Sequence, residues 1–227
     1  MSNNKKDWKR IVGIILIATL ILSIGYSIFK IFTAPSEMLE AEEYEHIRSD
    51  YILMLLQCCL GIIVMFLPTL LEKKWSIHIP NYMSIMYFAF LFCAIVLGEV
   101  RNFYYIVPHW DTILHAFSGG MLGALGFTLV SVLNDSERTK VRLSPFFVAL
   151  FAFSFALAVG VIWEIYEFTC DLLFDLNMQK YRLADSTLLI GRAAISDTMK
   201  DFIVNTLSAL VVTVIGFITL KRDSKRS

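Results

Sequence analysis

Eight polar residues between positions 111 and 205 of this 227-residue chain have the types and spacing to do chemistry. Asp111 and His115 are four apart, Glu164, Glu167 and Asp171 follow i, i+3 and i+7, and Asp197, Asp201 and Asn205 again step by four. On an α-helix each set falls on one face. A carboxylate in an apolar setting is costly to ionise alone, so it pairs, protonates, binds a cation or lines a wet pocket. Several carboxylates with one imidazole make a ligand set for a divalent metal ion. The oxygens suit magnesium, calcium or manganese, and the imidazole admits zinc or iron. We expect Glu164, Glu167, Asp171, Asp197 and Asp201 as the metal ligands. Asp111 and His115 are the expected acid/base pair, the carboxylate orienting the ring. Arg192 is the expected holder of an anionic group, with Arg101, His109 and Lys200 at the same level. Interhelical salt bridging is the bland alternative for the same charges.

These residues stand at the rims of very apolar segments. The chain is 57% apolar, beyond the share of an ordinary soluble domain. Six stretches, at about 11–31, 51–71, 82–98, 113–133, 143–163 and 202–220, are of the length that crosses a bilayer as helix. They leave too little polar sequence to cover them in water. The expected fold is therefore all-α, a polytopic integral membrane protein built as a six-helix transmembrane bundle, with residues 1–227 forming one domain. The first stretch follows Lys5, Lys6, Lys9 and Arg10, as a signal peptide would, but its apolar run is too long and "IFTAPSEM" is a poor cleavage site. A retained first helix is the reading. "SGGMLGALG" sets Gly119 and Gly123 in GxxxG register with Gly126 beyond, which lets another helix of the same chain approach closely. Pro68 and Pro145 fall near helix ends, where a kink or a start costs little. Cys58, Cys59, Cys93 and Cys170 have neither disulfide nor zinc-knuckle spacing and read as small packing residues.

Formal net charge is zero, yet it is unevenly placed. With loops assigned to alternate sides, the N-terminus, "EKKW", "ERTKVR" and "KRDSKR" fall together. That side holds thirteen of the twenty basic and five of the twenty acidic residues, +8, leaving −8 on the other. The positive-inside rule makes the basic side, and both termini, cytoplasmic. All three charged helix ends then lie at one level toward the outside. Trp110, Trp163, Tyr104, Tyr105 and Tyr166 gather at that boundary, where aromatic rings anchor membrane proteins. The outer loop from Leu172 to Ser196 is apolar enough to fold back as a lid, whereas the first outer loop is acidic and solvated. No Walker loop, dinucleotide fingerprint, GxSxG or HExxH occurs, and nothing supports nucleic-acid binding.

In order, "YYIVPHWDTILHAFSGG", "WEIYEF" and "SDTMKDFIVNTLSAL" resemble the YjdF-like family of bacterial inner-membrane proteins over about residues 99–216. More distantly, Asp-x-x-x-His, then Glu-x-x-polar, then Arg followed by Asp and Asn is similar to VanZ-like proteins of the bacterial cell envelope. Position by position, the resemblance singles out Asp111, His115, Glu164, Glu167, Arg192, Asp197, Asp201 and Asn205. It implies a bacterial cytoplasmic-membrane protein with an outward-facing polar site. Three functions compete for that site. One is divalent-metal-dependent chemistry on a lipid-linked or phosphorylated amphiphile. The others are a carboxylate-based proton or cation carrier and a non-catalytic protein that binds an envelope lipid or antibiotic.

Overall fold

A computed structural model describes residues 7–35, 47–75, 79–135, 143–183 and 187–224, with only the helical backbone described for 131–135. Its described residues contain no β-strand beyond one isolated bridge, Arg182 to Leu188. Six helices are long and apolar enough to cross a membrane: Trp8–Thr33, Arg48–Lys74, Asn81–Val100, Trp110–Val130, Pro145–Phe174 and Ser196–Asp223. The all-helical membrane fold expected from hydropathy is the observed one. The chain forms two units, Met1–Trp110 and Asp111–Ser227.

In the first unit, α1 (Trp8–Thr33) packs on α2 (Arg48–Val64) and α4 (Asn81–Leu91). Leu16, Leu20, Cys58, Phe88, Leu91 and Ile95 form its buried apolar centre. The second span is two helices: a turn at Met65–Phe66 separates α2 from α3 (Leu67–Trp75), whose second residue is Pro68. Proline lacks the N–H that a continuous helix needs, and here it sits in a first turn, where that N–H has no helical partner. From Phe92 to Val100 the helix widens to π geometry, closing with Arg101 N–H donating to the Val96 carbonyl five residues back (3.0 Å). Asn102 stops it in the left-handed region at φ 62°. A short α5 (Phe103–Ile106) follows, and Trp110 donates its indole N–H to the Cys93 carbonyl at 3.3 Å. Ser23 and Ser27, both buried, bond to carbonyls of their own helix at 2.8 Å.

The second unit contains α6 (Trp110–Asp135) from Asp111 onward, α7 (Pro145–Phe174) and α8 (Ser196–Asp223). Ser144 caps α7 by accepting from Phe147 N–H at 3.3 Å, with Pro145 at the first helical position. The apolar stretch of this span ends near Trp163, but the helix runs to Phe174, so Glu164, Glu167 and Asp171 are regular helical positions. Asp175 ends it at φ 52°.

Gly119, Gly160 and Gly126 explain why these three helices come so close. A methyl group on Gly119 of α6 would lie 2.6 Å from Asn205 Oδ1 of α8. One on Gly160 of α7 would run into the Asn205 amide nitrogen and lie 3.1 Å from its Cγ. Asn205 is thus wedged between two missing side chains, one from each neighbouring helix. Farther along, a methyl on Gly126 would sit 2.6 Å from Ala152 Cα. The GxxxG pair packs within the chain: Gly119 and Gly123 both face α8.

Candidate functional site

One turn from Asn205 toward the start of α8, the buried side chains become ionisable. Asp111 and His115 come from the first turns of α6, Asp197 and Asp201 from those of α8, and Glu164, Glu167 and Asp171 from the last three turns of α7. Asp111 and Asp197 occupy helix starts, whose unpaired N–H groups favour negative charge. His115 Nε2 stands 3.7 Å from Asp111 Oδ1 and 3.9 Å from Asp201 Oδ2. One ligand atom from each of Asp111, His115 and Asp201 falls within 4.8 Å of the others, a separation that three ligands of one ion can have.

The remaining acids do different work. Glu167 accepts the indole N–H of Trp163 at 2.9 Å, so that tryptophan, read from sequence as an interface anchor, also holds a carboxylate. Asp171 takes two backbone donors from the following loop, Met178 N–H at 2.7 Å and Gln179 N–H at 2.9 Å. Glu164 is only 5% exposed, and Gln179 and Thr198 are the hydrogen-bonding neighbours of its carboxylate, though neither makes a bond of ordinary geometry to it. Gln179 Nε2 also donates to Thr198 Oγ1 at 3.0 Å.

The loop that Asp171 grips delivers a cation absent from the sequence-based site. Lys180 ion-pairs with Asp111 and lies 3.7 Å from Asp197 Oδ2. Its backbone is left-handed, φ 49°, an uncommon conformation for a side chain of this size. Asn177 braces the same turn, accepting Arg182 N–H and donating to the Arg182 carbonyl, both at 2.9 Å. Arg182 in turn donates to the carbonyls of Asp175 and Leu176 at 2.8 and 2.9 Å. Burial alone pulls the Lys180 ammonium's pKa down; Asp111, Asp197 and Asp201 more than offset that pull and raise it above the ordinary lysine value. Its charge is therefore a fixed part of the cluster. The sequence signal was there to use: Lys180 is a lone lysine within the apolar "LFDLNMQKY".

Arg192 lies exposed in the turn 191–195, and Lys200 is exposed on α8. The group held near these carboxylates is thus Lys180, not Arg192.

Residues 10–222 match the family described as predicted membrane protein (DUF2238). The chain belongs to that family. Its match extends through the first two helices, beyond the 99–216 carried by the ordered motifs. An uncharacterized protein of Thermotoga maritima is 30% identical over 153 residues, which cover 67% of this chain and 70% of that one. No solved structure matches. The VanZ-like likeness rests on the order of motif residues alone.

Proposed function

We propose that this DUF2238 member is a membrane-embedded, divalent-metal-dependent enzyme acting on a lipid-linked or phosphorylated amphiphile. The reading rests on one observation: Asp111, His115 and Asp201, from two helices, converge their ligand atoms to within 4.8 Å. A hard or borderline ion suits two carboxylates and an imidazole. Bound there, it would supply Lewis acidity toward a phosphoryl oxygen or a water.

The chain's own groups do the rest. Lys180 offers an ammonium to an anionic head group, and Asp197, 3.7 Å from it, tethers that ammonium when Asp111 turns to a ligand role. Asp171 positions Lys180 through the loop backbone. Apolar surface adjoins the site, with Leu172, Leu173, Phe174 and Ile195 all exposed, which suits a partner that keeps its acyl chains in the bilayer. In this reading the termini are cytoplasmic, the membrane is the bacterial inner membrane, and the site faces outward; the distribution of Lys and Arg supports that orientation.

A carrier reading fits less well. Below Asp201, α8 buries Asn205, Ala209 and Thr213, but Asn205 is wedged between glycines and Thr213 bonds to the Ala209 carbonyl at 2.8 Å. Close helix packing of this kind leaves the acids at one end without a polar continuation.

Elemental analysis of detergent-purified protein, paired with phosphate release from lipid phosphates, tests the proposal. Wild type should retain divalent metal and release phosphate, and Asp201→Ala should do neither. Metal-free wild type, or phosphate release that survives in Asp201→Ala, would overturn it. Bound metal with no turnover on any lipid phosphate would favour the non-catalytic binding protein.

A further inference from the structure

Lys180 and an ion held by Asp111, His115 and Asp201 make demands on the same carboxylate. Asp111 contributes a ligand atom to that converging group, and it also carries the ion pair to Lys180. Its two oxygens divide the contacts: Oδ1 stands 3.7 Å from His115 Nε2, and Oδ2 is the one paired with the ammonium. A divalent ion on one oxygen would still lie roughly 4–6 Å from an ammonium on the other, and positive charges at that separation in a partly buried site repel strongly.

The loop fixes where the Lys180 backbone sits, but not where its ammonium must rest. Asp171 accepts Met178 N–H at 2.7 Å and Gln179 N–H at 2.9 Å just before it. Just after it, Asn177 bonds both the N–H and the carbonyl of Arg182 at 2.9 Å. Beyond that braced backbone the lysine stem is flexible. A second carboxylate is within its reach, since Asp197 Oδ2 of α8 lies 3.7 Å from Nζ. Asp197 stands outside the converging group of Asp111, His115 and Asp201. A swing of one side chain, with the loop in place, therefore moves the ammonium from a carboxylate the ion needs to one it does not.

We propose that Lys180 is a built-in competitor for the ion, holding ion affinity down while seated on Asp111 and permitting binding once it has moved to Asp197. Asp197 is then a positioning residue for the ammonium and not a ligand. The proposal rests on the single-ion reading above and gives that site a control: loading requires Lys180 to change partners.

Manganese(II) is the probe, titrated into the full-length protein in detergent micelles and followed by the paramagnetic-resonance signal of the unbound ion. Lys180→Met and Lys180→Gln, which remove the charge in two different shapes, should each bind manganese about tenfold tighter than wild type. Lys180→Arg, which keeps the charge, should not tighten it. Asp197→Asn should loosen binding in wild type, by leaving the ammonium no second seat, and do so much less when combined with Lys180→Met. Manganese bound no tighter by either uncharged variant would overturn the competition and leave the ion site standing, as would tightening in Lys180→Arg to the same degree. A loss from Asp197→Asn that is as large with Lys180→Met as without it would make Asp197 act on the ion directly and overturn the second seat. No manganese bound by any of these proteins would remove both this proposal and the ion site.

Discussion

The two units are built from three apolar spans each, yet they bury different polar chemistry. In Met1–Trp110 the buried polar groups are mainly hydroxyls, and Ser23 and Ser27 return theirs to the backbone one turn back. Ser84 Oγ and Asn102 Oδ1 are the described buried atoms of that unit left without a partner, and both are neutral. In Asp111–Ser227 the buried polar groups are Glu164, Glu167, Asp171, Asp201, Asn205 and Thr213, and the four acids adjoin one cluster. Hydropathy does not separate the units. What separates them is charge: the described buried polar groups of the first unit are neutral, whereas the second buries carboxylates, which in an apolar setting need a partner or a proton.

The sharpest way to break this comparison is to remove one acid and one hydroxyl in parallel. Asp201→Ala should abolish metal retention, whereas Ser27→Ala in the first unit should leave it intact and shift stability by only about 0.5–1.5 kcal/mol. Equal losses of bound metal in the two variants would mean the units do not divide labour in this way.

Glycines provide the next contrast. Gly160→Ala drives a methyl into Asn205 and should cost about 1–3 kcal/mol, read as a lower unfolding temperature. Gly25→Ala in α1 meets no atom within 4 Å and should raise that temperature, helix propensity favouring Ala by about 0.8–1 kcal/mol. A neutral Gly160→Ala would show that Asn205 has room to move.

A subtler change, Asp171→Asn, keeps the side chain's size but weakens its hold on Met178 and Gln179. Metal affinity should fall by about tenfold, the lower end of what outer-shell partners contribute. An unchanged affinity would confine Asp171 to a structural role in the loop.

The smallest effect concerns Lys180 and pH. Because its folded pKa is raised, the ion pair contributes fully below the ordinary lysine range and is lost as pH climbs through the folded value. Unfolding temperature should therefore drop more steeply at strongly alkaline pH in wild type than in Lys180→Met. Parallel curves would show that the pair adds nothing to folding.

Much of the fold could be read from apolar run length, because a bilayer fixes how long a span must be. The end of α7 could not, since Glu164, Glu167 and Asp171 lower hydropathy just where the helix continues; their i, i+3, i+7 spacing was the better signal. The π segment Phe92–Val100 has no marker in composition. Pro68 did announce the interruption after Phe66. For the site, spacing identified which residues share a face but not what each face meets. It could not tell that Asp171 turns to the loop backbone, that Trp163 holds Glu167, or that Lys180 rather than Arg192 enters the cluster. The first and last of those outcomes depend on the loop after α7, in which two residues that are not glycine, Asp175 and Lys180, are left-handed.

The length of α7 works as a depth gauge. Thirty residues at a rise of about 1.5 Å each come to about 45 Å, against a hydrocarbon layer of about 30 Å. With Pro145 set at one edge of that layer, Glu164 would fall near the far edge and Asp171 about 10 Å beyond it. A thicker host bilayer would raise the lipid boundary past Glu164, and a thinner one would lower it and bring water to the turns of α7 around Glu164. On that placement the acyl-chain length of the surrounding lipid would set which turn of α7 meets the lipid boundary.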